Sequence, residues 1–249
     1  LSMNERAPRK PWFGLAQGAS KIFADTPALL FGGCTAVRLR PSWMKKAEKT
    51  LTGLGARLIE ATGLVCCGGT YKHAGMCQSA AEAAQTNLNY WRSLGRPKVI
   101  TICASCLRSL RHYPDMPGLL NTAEAKIWME ALTPLSDCLQ KAETALTPHV
   151  PESYSYHSPC HWGGKDADML WLEKALPGLR KGKTLCCGFG GVFKLMNPLL
   201  SRSMAEKCWK GFGPTVNTVL TGCSGCSMQL AAHAPQNAET LHWLDIWCA

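Results

Sequence analysis

Residues 98–110 read Lys-Val-Ile-Thr-Ile-Cys-Ala-Ser-Cys-Leu-Arg-Ser-Leu, and residues 218–230 read Thr-Val-Leu-Thr-Gly-Cys-Ser-Gly-Cys-Ser-Met-Gln-Leu. Each is a β-branched apolar run that delivers a Cys-x-x-Cys pair at its end, which reads as a buried strand feeding a ligand site. The two pairs, Cys103 with Cys106 and Cys223 with Cys226, lie 120 residues apart. So do two adjacent pairs, Cys66-Cys67 and Cys186-Cys187, while two leading cysteines, Cys34 and Cys160, lie 126 apart. In both copies 35 residues separate the double cysteine from the Cys-x-x-Cys pair. The chain is an internal repeat.

Outward from these stretches a strand–helix rhythm runs twice. Ala28-Leu29-Leu30-Phe31 leads to Gly32-Gly33-Cys34, and a helix is expected over 42–54, stopped by Gly53 and Gly55. A strand at 56–60 precedes Cys66-Cys67-Gly68-Gly69, and an alanine-rich stretch predicts a helix over 77–94. In the second half Tyr154-Ser155-Tyr156 leads to Cys160, Lys183-Thr184-Leu185 leads to Cys186-Cys187-Gly188, and a helix is expected over 198–210 with Pro198 in its first turn. A helix broken near Pro134 is expected over 123–146, and another over 239–247. Strands alternating with helices imply βαβ units. The fold class is therefore α/β, with two similar lobes from an internal repeat, each a small mainly parallel sheet flanked by helices. The expected divisions are an N-terminal arm or linker at 1–27, a first lobe at 28–122, a connector at 123–150 and a second lobe at 151–249. Trp12 and Phe13 are candidates to pin the arm to the body. Because ligands gather at the carboxyl ends of parallel strands, the order alone brings five sulfurs to one edge of each lobe.

Composition narrows the chemistry. The chain has 249 residues, 46% hydrophobic and 18% charged, with 14 cysteines. A chain of this length needs no disulfides to hold a core, and with no secretory signal at its start the cysteines read as metal ligands or redox groups. No apolar run reaches the ~18 residues of a membrane span. The net charge of +10 comes from scattered Lys and Arg with no long basic tract, and no nucleic-acid-binding signature is present, so nucleic acid is not an expected partner. No dinucleotide fingerprint or phosphate loop is found either. The chain begins with Leu1, so it is read as a fragment or processed product.

Four readings of the cysteines compete. Packing as small buried hydrophobes suits the isolated Cys77, Cys138, Cys208 and Cys248 but not the repeated ten. Disulfides sit badly with adjacent cysteines in a reducing compartment. Structural zinc uses Cys-x-x-Cys pairs, but takes four ligands where each half offers five. Iron–sulfur clusters present several irons to several thiolates and fit best. Gly68 and Gly69, and Gly188, Gly190 and Gly191, allow close backbone approach with N–H groups free for cluster sulfides. His157 and His161 flank Cys160; a histidine bonded to backbone near a strand end is the favoured reading for both, and tuning of a cluster or proton transfer is the other. Trp162 is placed to shield a cluster from water.

The pattern Cys34, Cys66-Cys67-Gly68, Cys103-x-x-Cys106, repeated at Cys160, Cys186-Cys187-Gly188, Cys223-x-x-Cys226, resembles the cysteine-rich "CCG" domain family over residues 28–249. Phe31-Gly32-Gly33-Cys34-Thr35, His157-Ser158-Pro159-Cys160-His161 and Cys187-Gly188-Phe189-Gly190-Gly191 carry the same resemblance. The family includes the B and D subunits of heterodisulfide reductase, iron–sulfur subunits of glycolate and lactate oxidation systems, and a variant succinate dehydrogenase component. The resemblance implies two cysteine pockets, each able to hold a noncubane [4Fe-4S] cluster on five cysteines, and all ten corresponding cysteines are present. The implied function is that of an iron–sulfur redox subunit that reduces thiol–disulfide substrates or transfers electrons. Alternatives are a pure relay for a flavin-dependent lactate or glycolate oxidase, and a zinc-bound structural protein. Implied partners are other redox subunits, ferredoxin-like or flavoprotein, and a thiol or disulfide substrate. The implied location is the cytoplasm, with partner subunits able to hold the chain at the inner face of a membrane. The 25 residues between Cys160 and Cys186 are fewer than the 31 between Cys34 and Cys66, so the second site departs from the pattern.

Overall fold

A computed structural model describes residues 9–182 and 185–249. Two four-stranded sheets, both wholly parallel, form its frame. In the first, strand Pro27–Phe31 lies between Arg57–Ile59 and Lys98–Thr101, and Leu132–Pro134 closes the far edge. In the second, Tyr154–Tyr156 lies between Arg180–Lys181 and Thr218–Thr221, with Glu239–His242 at the far edge. The strand order is the same in both, so the sequence repeat is a repeat of topology. In each sheet the chain leaves the first strand to one side and returns on the other. That reversal opens a crevice beyond the carboxyl ends of the two central strands.

The helices take the positions that their apolar spacing dictates. Pro41–Gly53 starts on a proline whose missing N–H costs nothing there, and buries Trp43, Ala47, Thr50 and Leu51 on one face. Cys77–Ser93 buries Ala80, Ala84, Leu88 and Trp91, and Pro198–Phe212 buries Ser201, Ala205, Cys208, Trp209 and Phe212. Alternation along the central strands divides the core. Leu30 and Ile100 face a cluster with Trp43, Tyr154, Trp171, Leu220 and Trp243, whereas Phe31 and Val99 face one with Trp91, Trp128, Trp209 and Val219. Both clusters draw on both repeats, so the lobes share their core. Each fully buried Leu or Val in it contributes roughly 1.5–3 kcal/mol.

A third, small sheet ties the ends together. Phe13–Leu15 runs parallel to Trp247–Cys248 and antiparallel to Thr144–Leu146. Trp12 and Phe13 are buried, against Tyr154 and against Trp171 and Trp247 respectively, and so pin the N-terminal segment as the sequence suggested. Residues 1–8 of the expected arm lie outside the described residues.

Two expectations about local structure change, and a third falls partly outside the described residues. The helix of 123–146 is a helix only over Thr122–Ala131; Leu132–Pro134 then pairs as an edge strand, Leu135–Leu139 is a short helix and Thr144–Leu146 a strand. Pro134 lacks an N–H and disfavours helix in the residue before it, but an edge strand tolerates it. The helix expected over 239–247 is strand Glu239–His242, a 3-10 turn at Trp243–Asp245 and strand Trp247–Cys248. Thr240, Leu241, His242, Trp243 and Leu244 are all buried, which leaves no polar face for a surface helix. The strand run expected at 183–185 rests on Lys183 and Thr184, which lie outside the described residues; the strand that pairs there is Arg180–Lys181.

Candidate metal centre

Three of the four strands in each lobe lead into cysteines at its crevice. After Pro27–Phe31 the chain turns through Gly33, at φ +71°, and an added Cβ there would lie 2.6 Å from Cys106 Sγ. Only glycine lets the backbone bearing Cys34 approach that sulfur. The double cysteines are followed by Gly68 and Gly188, at φ +77° and +80°. At Gly188 a Cβ would meet the Ser201 carbonyl oxygen at 2.7 Å. Cys103 and Cys223 sit at the N-terminal ends of helices Ala104–Arg111 and Ser224–Ala232.

All fourteen cysteines are free thiols. The ten repeated ones form a continuous succession of sulfur neighbours: Cys34, Cys66, Cys67, Cys106, Cys103, then across the lobe boundary Cys223, Cys226, Cys187, Cys186, Cys160. Cys187 donates to Cys226 Sγ at 3.2 Å and Cys160 to Cys186 Sγ at 3.9 Å. These separations far exceed the ~2.05 Å of a disulfide. Burial is graded along the succession. Cys103, Cys106, Cys187, Cys223 and Cys226 are buried, Cys66, Cys67 and Cys186 are half-buried, and Cys34 and Cys160 are exposed. Each pocket therefore has a closed floor and one sulfur at an open lip.

Crowding splits the acidities. Neighbouring thiols donating to Cys186 hold it down at about 2, and the same cause holds Cys67 and Cys103 well below the usual thiol range. Cys34, Cys106, Cys160, Cys187 and Cys226 are pushed up, first by sharing their protons with adjacent sulfurs and then by burial. Cys223 rises to about 12, with Cys103 beside it as the leading cause. Sulfurs so close cannot all ionise by themselves, and metal cations remove that repulsion.

The floors of the two pockets meet. Ala104 N–H donates to the Gly222 carbonyl at 3.0 Å, and Ser224 N–H donates to Cys103 Sγ at 3.4 Å. Ser105 Oγ lies 3.1 Å from Cys103 Sγ and 3.6 Å from Cys223 Sγ. Behind the double cysteines the support differs between lobes. Asn87 accepts from Val65 N–H and donates to the Cys66 carbonyl and to Tyr113 Oη, while Tyr113 donates to the Cys67 carbonyl. In the second lobe Ser201 donates to the Gly188 carbonyl, and Gln229 donates to Ser201.

The remaining cysteines divide. Cys138 and Cys208 are buried, as packing requires, with burial raising them to about 12 and about 11. Cys77 and Cys248 are exposed, contrary to that reading. His161 lies at the mouth, stacked on His73 at 6.1 Å, and burial, with the cation of Arg108 adding to it, pushes its imidazole below the ordinary range. His157 does not carry the side-chain bond to backbone that the sequence favoured. Its backbone N–H donates to Leu220, but its Nε2 is buried with no partner, and burial lowers it to about 4. One of its ring nitrogens lies within 4.8 Å of the sulfurs of Cys187 and Cys226. Trp162 is buried, in the core cluster that holds the pocket floors. Ser105 and Ser224 were missed from sequence: they stand inside the Cys-x-x-Cys pairs, but only the packing of one lobe on the other brings Ser105 to Cys223 and Ser224 to Cys103.

The donor set is all sulfur with one orphaned imidazole, which is the chemistry of iron–sulfur or zinc ligation. The model of the cysteine-rich domain, CCG, matches residues 28–111 and 154–231. The D subunit of dihydromethanophenazine:CoB–CoM heterodisulfide reductase from Methanosarcina acetivorans is 28% identical over 84% of this chain and 54% of its own length. The glycolate oxidase iron–sulfur subunit of Escherichia coli is 23% identical over 88% of this chain and 56% of its own length. The chain thus spans about half the length of these relatives. A hypothetical protein from Helicobacter pylori of known structure shares the fold with a TM-score of 0.56 at 14% identity, over 88% of this chain and 49% of that one.

Proposed function

This chain belongs to the CCG cysteine-rich domain family, and we propose accordingly that it is an iron–sulfur redox subunit of a multi-subunit oxidoreductase. Cys34, Cys66, Cys67, Cys103 and Cys106 hold one cluster, and Cys160, Cys186, Cys187, Cys223 and Cys226 hold a second, both [4Fe-4S] of the noncubane type. The observation that carries the reading is the succession of ten sulfurs, arranged as two pockets each with an exposed leading cysteine. His157, whose Nε2 has no partner and one of whose ring nitrogens lies within 4.8 Å of the sulfurs of Cys187 and Cys226, fits a pocket that receives a metal.

When bound, the clusters supply single electrons and an iron able to take a substrate sulfur. The chain's own residues do the rest. Cys34 and Cys160 leave one side of each pocket open to a thiol or disulfide. Two electrons from a ferredoxin-like or flavoprotein partner, with two protons, convert one disulfide to two thiols. His161 and His73 stand at the mouth where such protons are needed. The joined floors at Cys103 and Cys223 give electrons a short route between pockets. The net charge of +10 suits an acidic partner. No helix among the described residues is long and apolar enough to cross a membrane. We place the chain in the cytoplasm, where partner subunits can hold it at a membrane face.

The joined floors also favour a second reading, an electron relay for a 2-hydroxyacid oxidase, in keeping with the similarity to the glycolate oxidase iron–sulfur protein. EPR of the anaerobically purified chain separates the two. A signal that changes when a mixed disulfide or thiol is added supports disulfide chemistry, and one that stays unchanged supports the relay. A colourless, zinc-containing protein would contradict both.

A further inference from the structure

The two pockets are not equivalent, and the difference lies at one position. His157 stands three residues before Cys160, and Phe31 stands three residues before Cys34. The strand registers make the positions the same in space. Phe31 pairs with Thr101 and Tyr156 with Leu220. Since Ile100 and Thr101 correspond to Leu220 and Thr221 in the repeat, His157 takes the place of Phe31. In the first lobe that place is apolar and buried. In the second it holds an imidazole that is 1% exposed, with Nε2 lacking any hydrogen-bond partner among the described residues.

Such an atom is costly unless something binds it. The ring is held in place from both sides. Its backbone N–H donates to Leu220 at 2.8 Å, and Phe212 packs against it edge-on with centroids 6.3 Å apart. One of its nitrogens, Cys187 Sγ and Cys226 Sγ all lie within 4.8 Å of one another. Those two cysteines come from different strand ends of the second pocket, so the nitrogen is directed at the pocket floor.

We propose that His157 is a sixth protein donor to the second pocket, binding iron there through its ring nitrogen, while the first pocket is held by sulfur alone. The inference rests on the iron–sulfur reading above. A neutral nitrogen added to five thiolates leaves the ligand charge of the second pocket unchanged while giving its iron a donor that the first pocket lacks, so the two centres differ in potential.

The test uses the whole chain, purified without oxygen after growth with ¹⁵N-labelled histidine, assayed for iron and sulfide and measured by pulsed EPR. The expected result is one strongly coupled histidine nitrogen in one of two cluster signals, lost in His157→Phe. His157→Cys keeps a donor at the same place. It is expected to retain iron and sulfide, lose the nitrogen coupling and lower one of the two midpoint potentials, and it decides the matter if the Phe variant does not fold. Full iron and sulfide without histidine coupling, or coupling that persists in His157→Phe, overturns the inference and leaves the iron–sulfur reading standing. Absence of iron and sulfide from the unaltered chain overturns both.

Discussion

Ser224 donates its backbone N–H to the sulfur of Cys103, 3.4 Å away, across the boundary between the two repeats. The hydroxyl of Ser105 lies between Cys103 and Cys223 from the other side. Each repeat thus completes the polar surroundings of the other's floor. The two pockets form one centre, and a change at the junction is felt in both.

Ser105→Ala tests that coupling. Hydrogen bonds to cluster sulfurs stabilise the more negative, reduced form. Removal of this hydroxyl is expected to lower both midpoint potentials in an EPR-monitored redox titration. Ser93→Ala, which removes an exposed hydroxyl bonded to the Tyr90 carbonyl, serves as the control and should change neither.

Gly33→Ala should empty one pocket and spare the other. An L side chain at φ +71° is strained, and its Cβ would lie 2.6 Å from Cys106 Sγ. The expected result is about half the iron of the unaltered chain, since each pocket is taken to hold one cluster of cysteine-ligated irons. Full iron content would show that the Cys34 turn is not part of a ligand site.

Cys138 and Cys208 separate packing from ligation. Cys138 donates weakly to the Pro134 carbonyl, and Cys208 to the Cys186 carbonyl. Alanine at either position removes a buried sulfur and should cost about 1–2 kcal/mol in urea unfolding with iron content unchanged. Alanine at Cys66, Cys103, Cys187 or Cys226 should lower iron content itself.

Glu124 gives the pH dependence of stability a definite sign. Arg92 grips its carboxylate with two bonds of 2.8 and 2.7 Å, and Arg96 adds a third at 3.1 Å. Arg92 above all holds this carboxyl down at about 2, against an ordinary 4.5. The folded chain therefore binds this proton less readily than the unfolded one. The stabilisation is fully present above pH ~4.5 and is lost as pH falls toward 2. Glu124→Gln should cost about 1 kcal/mol in urea unfolding at pH 7, with the gap between variant and parent narrowing below pH ~4.

The ten cysteines and the two-lobed α/β frame were legible because the repeat imposes its own checks. A strand run, a Cys-x-x-Cys pair and a shared 35-residue interval recur together. The segments that tie the lobes to each other were less legible. Leu132–Pro134 and Glu239–His242 are the outermost strands of their sheets; the first is three residues long and ends on a proline, and the second is buried at three successive positions, with His242 bonded to the Ile102 carbonyl of the other lobe, so it shows no alternating pattern. His157 misled for a similar reason. A histidine at a strand end commonly bonds to backbone, and only the three-dimensional placement of Cys187 and Cys226 shows that this ring faces sulfur instead.

Whether ten cysteines hold two clusters is decided by the metal and sulfide content of the chain purified without oxygen. A brown protein with about eight irons, as many inorganic sulfides and no zinc is expected, from two four-iron clusters on cysteine thiolates. Zinc without sulfide would contradict the assignment and leave only the repeat and the fold.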